Sequence, residues 1–220
     1  WEFPELQGVM GYYYASQQED QKVAIALKEQ YLPRFSKDQL PETGVGCALA
    51  LADRLDNLVG FFGIEKIPSG DKDPFGLRRA ATGILRIILE KNLAIDLQEA
   101  LEKACQTYSN IFKNKDEVAA KVLDFIYERL RSLYTEQNKN INVFRAVLAC
   151  MPTNLQDFTQ RFEAVDRFVL LPEVDDLIEI YERIRNILDK ASAVFISGSI
   201  FIQYKSLIYI RLLRLLYVSI

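Results

Sequence analysis

Apolar residues recur at steps of three and four through most of the chain and never alternate with polar ones over a sustained run. The pattern therefore predicts an all-α protein, a helical bundle with no sheet. Leu6, Val9, Met10 and Tyr13 predict a short helix from Glu5, with Pro4 suited to its opening turn. Val23, Ala26, Leu27 and Tyr31 predict a second from Glu19 to Tyr31, which Pro33 ends. Ser36 to Thr43, holding Pro41, reads as loop. Gly44 to Phe62 is the longest apolar helix of the first half, with Leu49, Ala52, Leu55, Leu58 and Val59 as its inner face.

Ile67 to Asp73 carries Pro68, Ser69 and Gly70, which is turn chemistry and the expected domain boundary. Asp73 is placed to cap a helix whose first position is Pro74, a residue needing no amide partner there. Leu77, Ala81, Ile84, Leu85 and Ile88 form its packing stripe. Asp96 should cap a helix to about Tyr108, and Asp116 to Tyr134 should form another, with Val118, Val122, Phe125, Ile126 and Leu130 inward. Asn142 to Cys150 stops at Pro152. Asn154 with Asp157 resembles a capping box opening Leu155 to Phe168, and Pro172 starts a helix to about Lys190.

Composition changes this picture at three points. The 220 residues are 50% apolar, enough for one substantial core or two small ones. The net charge is −3, but no acid follows Asp189 while Lys190, Lys205, Arg211 and Arg214 do, so residues 1–189 carry −7. An acidic body argues against indiscriminate polyanion binding, and any RNA contact must come from a local basic patch. Cys47, Cys105 and Cys150 are odd in number and far apart, indicating neither disulfides nor zinc, and a reducing cytoplasmic location fits. No histidine exists to activate a thiol. The chain opens on Trp1 with no basic and apolar leader, so it reads as a fragment without a secretion signal.

Val194 to Ile220 is rich in Ile, Leu and Tyr. Lys205, Arg211 and Arg214 interrupt it, leaving a charge-free stretch shorter than the roughly 18 residues of a membrane span, so no membrane association is expected. Leu207, Ile210, Leu213 and Leu216 would also suit a buried helix, and the abrupt change of composition near Phe195 would suit a frameshift.

Arg78, Arg79, Thr82 and Arg86 lie beside or opposite the packing stripe of the Pro74 helix. Guanidinium groups bind phosphates bidentately and stack on unpaired bases, so Arg78, Arg79 and Arg86, with Lys72 in the preceding loop, are candidate RNA-binding residues. The alternative is that these arginines pair with Asp71, Asp73 or Glu90 and fix an angle between two bodies. Arg183 and Asn186, three apart on the Pro172 helix, form a second candidate surface. Tyr12, Tyr13 and Tyr14 suit either base stacking or packing. There is no glycine-rich phosphate loop and no nucleophile with its base, so no catalytic residue is assigned.

Several runs carry a resemblance. Glu2-Phe3-Pro4-Glu5-Leu6-Gln7-Gly8-Val9-Met10-Gly11, Gln30-Tyr31-Leu32-Pro33-Arg34-Phe35, Asp71 to Arg86, and Arg183-Ile184-Arg185-Asn186-Ile187-Leu188 together resemble the beta subunit of bacterial tetrameric glycyl-tRNA synthetase, from Glu2 to about Ala191. Leu51-Ala52-Asp53-Arg54-Leu55-Asp56-Asn57-Leu58 is also similar to the last motif of HD-domain phosphohydrolases, with Asp53 the matching ligand. Without histidines that site lacks its ligand set, so an HD-like fold without the chemistry is expected, with Asp53 paired to a nearby cation, and no metal residue is assigned.

The resemblance implies that residues 1–68 end an HD-like helical domain. Residues 69–73 would be a hinge loop, 74–191 a helical anticodon-binding-like domain of the DALR type, and 192–220 an atypical tail. It also implies tRNA(Gly) and the alpha subunit of an α2β2 tetramer as partners, with ATP used on the alpha subunit and no cofactor on this fragment. Alternatives are a helical scaffold contacting only protein, or a divergent HD hydrolase.

Overall fold

The computed structural model describes residues 3–187 other than 109, 110, 113, 173, 175, 176, 178 and 182. The expected helix end near Lys190 and the tail, with its frameshift reading, lie outside the described residues. The chain divides into two compact units after Arg161. Among the described residues there is no strand, only two isolated bridges, Ser69 with Lys72 and Asp96 with Asn154.

A single 3-10 turn, Pro4–Leu6, precedes α1, Val9–Ala15. Gly8 sits between them at φ +80°, so the one helix predicted from Glu5 is broken by a left-handed residue. Of its expected inner positions, Leu6, Met10 and Tyr13 are exposed. Next come α2 (Gln21–Glu29), α3 (Gly44–Gly63), α4 (Leu77–Glu90), α5 (Leu97–Thr107), α6 (Lys115–Glu136), α7 (Ile141–Leu148) and α8 (Leu155–Phe168). The division between units falls within α8.

Polar caps set the boundaries. Asp20, Thr43, Asp96, Asn114 and Asn140 each accept a bond from an amide of the first turn they precede. Asn114, rather than a residue near Asp116, starts α6. At α8 the Asn154 side chain accepts from the amides of Gln156 and Asp157, while the Asp157 carboxylate pairs with Arg161 at 2.8 Å. Asp96 does more than cap. The Thr153 hydroxyl donates to its second oxygen, and the Leu97 amide donates to the Thr153 carbonyl at 3.0 Å. Burial works against the charge of Asp96, but Thr153 and the amides of Glu99 and Gln98 hold its carboxyl below the usual range.

The first unit is built on α3, which packs against α2, α4, α5 and α6. Its inner face is Cys47, Ala50, Leu51, Arg54, Leu58, Val59 and Phe62. This differs from the face expected from the sequence: Ala52 is exposed, and Leu49 and Leu55 are only half-buried. The observed face includes a charged residue, Arg54, which is only 7% exposed. On α4, Leu77, Ala81, Ile84, Leu85 and Ile88 are buried as the spacing predicts, and the helix packs on α3 and α6. Each of the buried Leu and Ile side chains stabilises the fold by about 1.5–3 kcal/mol. Tyr134, Phe144 and Phe158 close the far end, with ring centroids 5.1–5.8 Å apart. The Ser69–Asp73 loop joins α3 to α4 within the first unit.

Candidate nucleic-acid interface

The buried Arg54 determines where the segment after α2 runs. Its Nη1 donates to the carbonyls of Gln30 and Ala50, both at 2.9 Å, and its Nη2 to those of Tyr31 and Pro33, both at 3.1 Å. Burial lowers its pKa, with the Asp53 charge working the other way. No carboxylate accepts any of these four bonds. The guanidinium is solvated by main-chain oxygens, which satisfies carbonyls at a helix end that would otherwise lack donors. The Leu32–Pro33 bond held here is cis. Beyond it, Arg34 and Phe35 are exposed and turn back through Asp38, whose buried carboxylate accepts from the Arg34 Nε at 2.9 Å and from the amides of Arg34 and Gln39.

The start of α4 differs from the prediction. Pro74 lies outside the helix, and Gly76 at φ +67° occupies the capping position. Asp73 still serves the helix start from further back, its two oxygens accepting from the amides of Leu77 (2.8 Å) and Arg78 (3.0 Å). Phe75 stacks on Phe61 with centroids 4.2 Å apart, anchoring the turn to α3. The Arg79 guanidinium lies against Gly76, where a Cβ would come within 2.8 Å of Nη2. Arg78 donates to the Gly70 carbonyl, tying α4 to the preceding loop.

These two features face each other across an open groove of about 220 Å³. Pro33, Arg34, Phe35 and Ser36 form one lip. Arg78, Arg79, Thr82, Gly83 and Arg86 of α4 form the second wall, and Arg129, Ser132, Leu133 and Glu136 of α6 the third. Two of its five arginines are paired: Arg34 with Asp38, and Arg86 with Glu90 at 2.6 Å, Arg86 also donating to the Asp38 carbonyl at 3.0 Å. Among the described residues, Arg78, Arg79 and Arg129 have no carboxylate within ion-pair distance. The Arg129 Nε is shielded from solvent without an acceptor, a condition that costs about 1–3 kcal/mol. Against Asp38, Glu90 and Glu136, the five arginines leave two positive charges in excess on an otherwise acidic body. A partly enclosed groove of this kind focuses a positive potential on an anion.

The structure thus brings together Arg78, Arg79 and Arg86 of the predicted residues. The pairing alternative holds for Arg86 alone, through Glu90. Lys72 is exposed in the Ser69–Lys72 turn and does not line the groove. In the second unit, residues 183–187 are helical and Arg183 and Asn186 are exposed there. Tyr12 packs edge-on to Tyr13, with centroids 5.5 Å apart, while Tyr13 and Tyr14 remain exposed. Arg34, Phe35 and Arg129 join the groove without having been expected there. Leu32-Pro33-Arg34-Phe35 carried a signal only as part of a resemblance, and Arg129 carried none, being one charge among many on α6.

Other chemistry is less favoured. Asp53 is exposed with no ion-pair partner among the described residues, contrary to the expected pairing with a cation, and Asp56 accepts from the Tyr108 hydroxyl at 2.9 Å. Among the described residues, no group of His, Cys, Asp or Glu is placed to hold a metal ion. The three cysteines are free, and burial pushes the Cys47 and Cys105 thiols up, away from the nucleophilic thiolate. Among the described residues, no helix is long and apolar enough to cross a membrane.

Fold and groove define a helical protein with a local cationic cleft. Comparison with known proteins narrows this: residues 1–149 match the family described as glycyl-tRNA synthetase beta subunit, and the chain belongs to that family. It is 50% identical over 201 residues to the glycine--tRNA ligase beta subunit of Coxiella burnetii (strain Dugway 5J108-111), covering 91% of this chain and 29% of that protein. It is 49% identical over 191 residues to that of Ectopseudomonas mendocina (strain ymp), covering 86% and 28%. To that of Pseudomonas aeruginosa (strain LESB58) it is 47% identical over the same length and shares. The chain thus spans less than a third of the length of these relatives.

Proposed function

We propose that this chain is a tRNA-gripping part of the beta subunit of a glycine-tRNA ligase, holding tRNA(Gly) so that its acceptor end reaches an ATP-dependent active site on the alpha subunit of an α2β2 assembly in the cytoplasm. The observation that carries the reading is the convergence of arginines from α4, α6 and the Pro33–Ser36 segment on one groove of an acidic unit. Phosphate contacts supply most of the affinity of such an interface, and oriented guanidinium groups supply its geometry. The chain itself takes no part in amino-acid activation. On this reading residues 1–68 close an HD-like helical domain and 74–191 form most of an anticodon-binding-like domain. Lys72, Arg183 and Asn186 are further RNA contacts.

Charge reversal at Arg78 and Arg79 tests the proposal. Binding of a tRNA transcript to the full chain should weaken at least tenfold, and the slope of log K against log salt should flatten by about one for each phosphate that is no longer neutralised. Unchanged affinity and slope would refute it.

A second reading rests on Leu177, Ile180, Ile184 and Ile187, which share one helical face of the second unit and are 43–60% exposed. Such a stripe favours a scaffold that contacts a neighbouring protein segment or subunit. Absence of tRNA binding by the full chain, with retained binding to the alpha subunit, would select it.

A further inference from the structure

The groove has an apolar lip as well as charge. Phe35 is 58% exposed beside residues whose backbone Arg54 fixes, and the Arg34 guanidinium lies 6.0 Å from its ring centroid. A guanidinium thus meets one side of the ring, and the accessible remainder stands at the lip of a cationic groove, where a flat partner can stack on it. Opposite, the Arg129 guanidinium is held 5.9 Å from the Phe125 ring centroid, with its shielded Nε lacking an acceptor. Arg79 lies on the α4 wall of the same groove with no carboxylate partner among the described residues. One wall offers a flat apolar surface, and two others offer guanidinium groups that no carboxylate neutralises among the described residues.

Resting on the tRNA-binding reading, we propose that Phe35, Arg79 and Arg129 form a subsite for one unpaired nucleotide of the bound RNA, its base stacked on Phe35 and its phosphate held by the two arginines. A duplex presents its bases already stacked and paired, so its edges and phosphates do not engage an isolated ring at the lip of a groove. An unpaired nucleotide exposes both a π-face and a phosphate that can enter together. Stacking of this kind is tolerant of base identity, so the subsite reads the absence of pairing rather than a sequence.

Three substitutions in the full chain test the subsite. Phe35→Ala should weaken binding of a tRNA transcript roughly tenfold and leave binding of a perfect RNA duplex unchanged. Arg129→Gln should weaken tRNA binding and reduce the salt slope by about one. Phe35→Trp adds an indole to the single tryptophan of the chain, Trp1, and its fluorescence should fall on addition of tRNA but not of duplex. Far-ultraviolet circular dichroism of each variant verifies that the helices are retained. If Phe35→Ala binds tRNA like the parent and the indole signal does not respond, while charge reversal at Arg78 and Arg79 still weakens binding, the subsite is overturned and the tRNA reading survives. If the charge reversals are also without effect, the tRNA reading itself fails.

Discussion

The Arg54 side chain passes α4 at Gly83, where an added Cβ would stand 2.6 Å from Nε and 3.2 Å from Cδ. With four hydrogen bonds to main-chain carbonyls, Arg54 cannot move aside without giving up some of them. Gly83→Ala should therefore destabilise the protein by about 1–3 kcal/mol despite the helix propensity of alanine, measured by urea unfolding. In an Arg54→Met background the same change should cost much less. An equal cost in both backgrounds would show that this approach is not the reason for the glycine.

Asp38 gives the acid limb of stability a definite sign. The Arg34 hydrogen bond, opposed by burial and reinforced by the Arg34 and Gln39 amides, lowers its carboxyl from the ordinary 3.8 to about 2. A depressed folded pKa adds stability that is complete above about pH 4 and lost as the pH falls towards 2. Asp38→Asn should flatten the melting temperature against pH in that window. A profile as steep as the parent's would place the acid sensitivity elsewhere.

Gly76 separates strain from function. At φ +67°, Gly76→Ala should cost about 1–2 kcal/mol, and Gly76→Asn less, because asparagine tolerates the left-handed region. Either side chain displaces Arg79, so both variants should bind tRNA more weakly than the parent at temperatures where both remain folded. Full affinity in Gly76→Asn would remove Arg79 from the interface.

At the start of α5, Asp96 joins a cap to the 153–154 loop. Asp96→Ala should lower stability by about 0.5–2 kcal/mol through removal of the cap, and further for the Thr153 hydroxyl left without its acceptor. Thr153→Val removes only the second part and should cost less. Thermal melts that rank the two in the reverse order would contradict this division.

What the sequence disclosed followed from whether the information was local. The stripe on α4 and the caps at Asp96 and Asn154 depend on residues a few positions apart, and the structure has them where expected. The inner face of α3 was misplaced because Arg54 enters the core only through carbonyls that residues 30–33 bring to it. At Asp73-Pro74-Phe75-Gly76 the aspartate caps as expected, but the left-handed Gly76 and the Phe75–Phe61 stack delay the helix by one turn. The groove itself combines positions 33–36, 78–86 and 129–136, so no spacing rule connects Arg129 to Arg79. Only packing α6 on α4 does so.

A guanidinium that reads main-chain oxygens is indifferent to the identity of the side chains it holds in place. A change of side chain at Gln30 leaves in place the carbonyl that Arg54 holds on the stretch leading to Phe35, since Arg54 grips the peptide groups and not what branches from them. The hold on this backbone therefore rests on Arg54 and on the missing methyl at Gly83.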